Sequence, residues 1–155
     1  MPSHTESLLA SEKYLANADH LLYVTYNVIK EKKLLINVLE NLYKALLYGI
    51  NAVLQFEHSL RKVRLYKESQ RNLQIFRIVA KNYNITPDEL KMIDEIMLII
   101  KKHKESGIVF TRGEKVVIMV EDKIIFFDLP KVKEYVQATK TIIAKIRKSF
   151  GLYGF

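Results

Sequence analysis

The chain has no cysteine and no tryptophan, and only three prolines and five glycines in 155 residues. Without cysteine there is no disulfide framework, zinc–thiolate site, iron–sulfur cluster or thiol nucleophile. The glycines are scattered, so neither a G-x-G-x-x-G turn nor a Walker loop is present to cradle a phosphate. Apolar runs stay short: Val116 to Val120, about five residues, falls far below the ~20 needed to span a bilayer. Met1 to Ala10 lacks the basic stretch and apolar core of a signal peptide. These absences predict a soluble cytoplasmic protein. At roughly 150 residues per domain, 1–155 is one domain with a short tail at 151–155, large enough to fold without a metal or disulfide staple.

Charge is what the chain has in excess. Lys and Arg number 25 against 17 Asp and Glu, a net +8. Residues 1–60 carry 5 basic and 6 acidic side chains, whereas 61–155 carry 20 and 11. Within the second part, 61–83 holds 7 basic residues and 1 acidic one, and 131–148 holds 6 and 1. Such asymmetry builds a positive face for a polyanion such as nucleic acid, or else a solvated lysine-rich surface.

Periodicity predicts helices interrupted once by a small sheet. Ser3-His4-Thr5-Glu6 fits a capping box, and Leu8, Leu15, Ala18, Leu22, Tyr26 and Ile29 follow at helical spacing. After the charged break at Lys30 to Lys33, a second helix spans about Leu34 to Leu60, roughly 40 Å at ~1.5 Å per residue. It carries two apolar stripes, one through Leu35, Val38, Leu42, Leu46, Gly49, Val53, Phe56 and Leu60, the other through Ile36, Leu39, Tyr43, Leu47, Ile50 and Leu54. A helix covered on two sides is central. Its remaining seam, Asn37, Asn41, Lys44, Tyr48, Asn51 and Gln55, is rich in amides that both donate and accept. It is either a solvent face or a contact, and Asn37, Asn41, Tyr48 and Asn51 are the interface candidates.

A loop from Arg61 to Ser69 leads to a helix over about Gln70 to Tyr83. Thr86-Pro87-Asp88-Glu89 supplies an N-cap, a first-turn proline and a capping glutamate for a helix ending near Lys104. Beyond Gly107 the period changes: Ile108 to Thr111, Val116 to Val120 and Ile124 to Phe127 read as strands of a meander. Both faces of that meander are apolar, so the one turned away from the helices needs the last helix or another subunit to cover it. Asp128 and Pro130 open a final helix that buries Val132, Tyr135, Val136, Ile142, Ile143 and Ile146. The expected fold is mainly α: an antiparallel four- to five-helix bundle with a small β-meander at about 108–128 before the last helix.

No catalytic motif is spelled out. His4, His20, His58 and His103 are far apart, and Asp19-His20 and Glu57-His58 are neighbours that point to different helix faces. No metal site and no cofactor are expected. At the corner Lys101 to Arg112, however, an imidazole, three ammoniums, a hydroxyl and a guanidinium gather. There His103 and Arg112 are weak candidates for holding a phosphate or for base chemistry on a ribose 2′-hydroxyl. A second basic stretch holds Arg61, Lys62, Arg64, Lys67, Arg71 and Arg77, with Tyr66 and Tyr83 available to stack on an unpaired base. Arg61, Arg64, Lys67, Arg71, Lys102, Lys104 and Arg112 are the candidate phosphate contacts.

Two long antiparallel helices followed by two shorter ones resemble the HEPN superfamily of helical bundles. Glu40-Asn41-Leu42-Tyr43-Lys44-Ala45-Leu46 is similar to that family's Glu-x-x-Tyr-Lys-Ala-Leu pattern. The run from His103 to Arg112, a lysine-rich helix end entering a strand, resembles small archaeal proteins of this class. The resemblance covers about 6–105. It implies RNA cleavage or a non-catalytic partnership with a nucleotidyltransferase or toxin, commonly as a dimer. The ribonuclease branch places an Arg four to six residues before a His, and no arginine occupies that window before any histidine here. The expected function is therefore a non-catalytic module that binds RNA or a ribonucleoprotein through its basic C-terminal face. A degenerate ribonuclease and a protein-partner subunit are the alternatives, and no membrane partner is expected.

Overall fold

The computed structural model describes residues 3–66, 68–105, 107–121 and 123–151. Lys67, Ser106, Asp122 and the tail from Leu152 to Phe155 lie outside the described residues. Five helices and one sheet follow in chain order. Helix α1 covers residues 4–29, with a π-helical turn at Leu21–Thr25. Helix α2 is Leu34–Ser59 and α3 is Ser69–Val79, the latter extended by a 3-10 turn, Ala80–Tyr83. Helix α4 is Pro87–Lys104 and α5 is Leu129–Ser149. Strands β1 (Ile108–Arg112), β2 (Lys115–Val120) and β3 (Lys123–Asp128) form an antiparallel sheet in the order β1-β2-β3. The expected mainly helical bundle with a meander before the last helix is the fold observed.

Local chemistry sets the element ends. Ser3 Oγ accepts from the Glu6 amide at 3.1 Å. Thr86 and Glu89 form the full reciprocal box at 3.1 and 2.9 Å. Asp128 Oδ1 accepts from the Lys131 amide at 3.0 Å. Lys30 closes α1 in the left-handed region at φ 57°, and Asn84 does the same after the 3-10 turn at φ 60°. At the π-helical turn inside α1, Asn27 Nδ2 donates to the Tyr23 carbonyl at 2.8 Å.

Half of α2 is buried, which makes it the central helix. Helices α1 and α5 converge on it at Gly49, where a Cβ would lie 3.3 Å from Ser11 Oγ and 3.6 Å from Ile146 Cδ1. Ser11 Oγ donates to the Ala45 carbonyl at 2.6 Å, so a serine hydroxyl spans the α1–α2 seam. Phe76 of α3 and Ile93, Ile96 and Ile100 of α4 close the other side. Two expected core positions are corrected: Ile29 and Leu60 are exposed, each at the C-terminal end of its helix.

The sheet packs on the bundle through one face only. Val116, Ile118 and Phe127 enter the same core as Val132 and Val136 of α5. Gly107 lets the chain leaving α4 pass close against β2, since a Cβ there would come within 2.6 Å of Val120 Cγ2. Ile108, Phe110, Val117, Met119, Ile124 and Phe126 belong to the opposite face and lie outside that core. No helix among the described residues is long and apolar enough to cross a membrane.

Candidate functional site

The charged groups sort into two kinds once folded. Four of the six cations of α5 are spent inside the molecule. Lys140 Nζ meets Asp19 at 2.5 Å, Lys145 Nζ meets Glu89 at 2.6 Å, and Arg147 forks onto both oxygens of Glu12 at 2.7 and 2.6 Å. Lys131 pairs with Glu134 at 3.2 Å along the helix. The Glu12 bonds hold the Arg147 guanidinium above its ordinary range against the opposing cost of burial. At Glu89 burial works against the charged form, but Lys145 and the Thr86 amide outweigh it and hold the carboxyl below the usual carboxylate range. The basic final helix is therefore a clasp onto α1 and α4. Arg77 is likewise tied to Asp94 across α3 and α4.

Arg61, Arg64, Arg71 and Lys104 make no ion pair among the described residues, and two of them flank a groove. Tyr43, Leu47, Ile50 and Asn51 share one face of α2 by helical spacing. Met97 of α4 faces them, and Gln70, Asn72 and Leu73 of α3 close one end, leaving a groove of about 360 Å³. Asn72 folds the preceding loop onto the first turn of α3: its Oδ1 accepts from the Tyr66 amide at 3.0 Å and its Nδ2 donates to the Tyr66 carbonyl at 2.7 Å. That brings the Tyr66 ring under Arg71, 4.8 Å from the guanidinium. On the opposite rim Lys104 Nζ sits 4.7 Å from the centroid of the Tyr43 ring. Asn51 and Gln70 line the groove, and neither side chain makes a hydrogen bond among the described residues. Apolar walls, an aromatic ring, uncommitted amides and cations at the rim suit a flat, polar-edged ligand that carries negative charge.

The other predicted site residues are dispersed. Arg61 occupies the turn after α2 at φ 58°, with Arg64 exposed in the following loop. Lys102 turns back to Glu105 at 3.3 Å. Arg112 stands opposite Lys115 on the outer face of the sheet. Tyr83 does not stack outward; it is buried and donates to Glu57 at 2.9 Å, and burial together with that carboxylate pushes its hydroxyl pKa up. His103 lies in a separate hollow with Asn37, Glu40 and Val109, its Nε2 3.4 Å from Glu40. Val109 belongs to the inner register of β1 and Arg112 to the outer, so His103 and Arg112 are not neighbours. Among the described residues no three His, Asp or Glu side chains converge as metal ligands.

The amide seam of α2 runs between α1 and the groove. Gln55 accepts from Ser7 at 2.8 Å, and Tyr48 stacks on Tyr14 with 5.6 Å between centroids and 13° between planes. Asn41 Nδ2 donates to the Asn37 carbonyl at 2.9 Å, while Asn51 falls into the groove. The seam therefore divides between an internal contact and a site. Sequence periodicity places Tyr43 in an apolar stripe of α2 and leaves Gln70 unmarked. The signal that finds them is the cation over Tyr43, which comes from a residue on another helix. Comparison with protein-family models, with curated proteins and with solved structures returned no match.

Proposed function

We propose that this protein is a non-catalytic module that binds RNA, free or in a ribonucleoprotein, in the cytoplasm. One observation carries the reading: a groove holding Tyr43 under Lys104, with the uncommitted amides of Asn51 and Gln70 beside it and Arg71 on its far rim. An unstacked base would lie against Tyr43, its edge would meet the amides, and the adjoining phosphates would meet Lys104 and Arg71. This narrows the proposed phosphate contacts to Lys104 and Arg71, on the α2–α3–α4 side of the bundle. Two long helices followed by two shorter ones also support a HEPN-like reading. The separation of His103 from Arg112 favours binding over cleavage.

The test is fluorescence anisotropy with labelled single-stranded RNA and a matched DNA duplex at two salt concentrations, with the RNA run on a gel afterwards. Affinity for RNA is expected to fall steeply with salt, by about −0.7 in log–log slope per phosphate neutralised. Lys104→Ala and Arg71→Ala should each reduce that slope, and Tyr43→Ala should cost about 1–3 kcal/mol if a base stacks there. Lys140→Ala, on the paired face, should leave affinity unchanged. Salt-insensitive binding, or equal losses at Lys104 and Lys140, would refute the groove. Cleavage abolished by His103→Ala would replace the binding module with a ribonuclease.

A further inference from the structure

Three exposed residues of α2 form a ridge beside the groove. Lys44, Tyr48 and Asn51 follow at spacings of four and three, so they stand on one side of the helix. Asn51 also lines the groove, so the ridge and the groove are continuous. Tyr48 is 37% exposed although its ring is already fixed: it lies parallel to Tyr14 of α1, with 5.6 Å between centroids and 13° between planes. Lys44 Nζ stands 5.5 Å from the centroid of the same Tyr14 ring. The charge here is of one sign. The seam from Asn37 to Gln55 that contains the ridge holds one ammonium and no carboxylate. The two acids of α2 point elsewhere: Glu40 faces His103 in the separate hollow, and Glu57 is buried against Tyr83. On α1, Glu12 is held by Arg147 and Asp19 by Lys140. Glu6 lies in the first turn of α1, about 12 Å along the axis from Tyr14.

We propose that Tyr48 is a second base-stacking site for a single strand of RNA whose first site is the groove of Tyr43 and Lys104, an inference that rests on the RNA-binding reading above. Tyr43 and Tyr48 are separated by about 140° around α2 and ~7.5 Å along it. On a helix ~11 Å across its side chains, that puts the two positions roughly 13 Å apart, the length of about four stacked nucleotides at ~3.4 Å each. A strand leaving the groove crosses the ridge between them. Its backbone passes over the Lys44 ammonium, and a later base lies on Tyr48. Tyr14 holds the Tyr48 ring in advance, so stacking there costs little side-chain entropy. The strand has to be single, because a stacking ring takes the face of an unpaired base. Without a base-edge partner at Tyr48, this second site lengthens the footprint and adds affinity without reading sequence.

The experiment is calorimetric titration of the whole chain with oligouridylates of two and of eight nucleotides, paired with the ring-proton resonances of Tyr48 in the native protein. Tyr48→Leu is expected to weaken the octanucleotide at least ~fivefold and to leave the dinucleotide unchanged. Tyr48→Phe keeps a stacking ring and should bind the octanucleotide as the native chain does. Tyr43→Leu should weaken both lengths. Lys44→Ala should lower the octanucleotide's log–log salt slope by about 0.7, one phosphate. In the native protein the Tyr48 ring protons should move upfield with the octanucleotide and stay in place with the dinucleotide, a result that does not depend on any variant folding. An octanucleotide that binds Tyr48→Leu as tightly as the native chain, with those resonances unmoved, would overturn the second site and leave the groove standing. Failure of both lengths to bind would overturn the groove and the second site together, and would leave the ridge to a protein partner.

Discussion

Glu89 joins three parts of the fold through one carboxylate. It closes the Thr86 box and accepts from Lys145, whose ammonium also donates to the Asn84 carbonyl at 2.8 Å. Its folded pKa lies below the unfolded value of 4.5, so the stabilisation is complete above that value and is lost as pH falls through the folded one. Glu89→Gln is expected to cost about 1–2 kcal/mol at neutral pH and to flatten the acid limb of the stability curve. Urea unfolding across the acid range measures both, and the two proteins should converge once the carboxyl is protonated in both states. Tyr83→Phe should also destabilise, by about 1–3 kcal/mol, because it strips a donor from the buried Glu57 carboxylate. At this scale legibility follows sequence distance. The Thr86–Glu89 box was readable because its partners are three residues apart and their chemistry is local. The Glu57–Tyr83 pair was not, because its 26-residue separation is set by how α3 returns along α2. Tyr83 looked like a stacking residue for the same reason.

Among the elements, α1 and α5 both come close to α2 at Gly49, where a Cβ would lie 3.3 Å from Ser11 Oγ. Gly49→Leu is expected to push Ser11 and Ile146 apart and to cost at least ~1–3 kcal/mol in chemical denaturation. Gly49→Ala should be nearly neutral, since a gain of about 1 kcal/mol in helix propensity offsets a tight contact. Periodicity made the helices, the strands and the central standing of α2 legible, because burial imposes a period on sequence. Period shows which residues share a face, not which neighbour covers it. Hence the Asn37-to-Gln55 seam read as one surface, while the fold gives Tyr48 and Gln55 to α1 and Asn51 to the groove. The meander read as apolar on both faces; α5 joins the core on the inner face and leaves Ile108, Ile124 and Phe126 of the outer one exposed.

Across the whole molecule, a net charge of +8 overstates the positive surface. Lys140, Lys145 and Arg147 are matched to Asp19, Glu89 and Glu12, so salt should weaken the bundle as well as any RNA contact. Arg147→Ala is expected to lower stability by about 1 kcal/mol, with the loss shrinking at high salt, and to leave RNA affinity untouched. Thermal melts and anisotropy on the same sample separate the two effects. Counting charges in the sequence revealed the excess but not its location, since Lys140, Lys145 and Arg147 find their acids on distant helices.

The clasp between the first and last helices also sets a timetable for synthesis. Glu12 waits for Arg147, 135 residues later in the chain, an interval of roughly ten seconds on a translating ribosome. The α1–α2 hairpin can form early in that time, but the side that Val136, Ile143 and Ile146 will cover stays open to water until α5 emerges. For that interval the nascent chain displays an apolar trough edged by the carboxylates of Glu12 and Asp19. Those charges then serve a second purpose: they keep the half-built bundle soluble until the basic helix arrives.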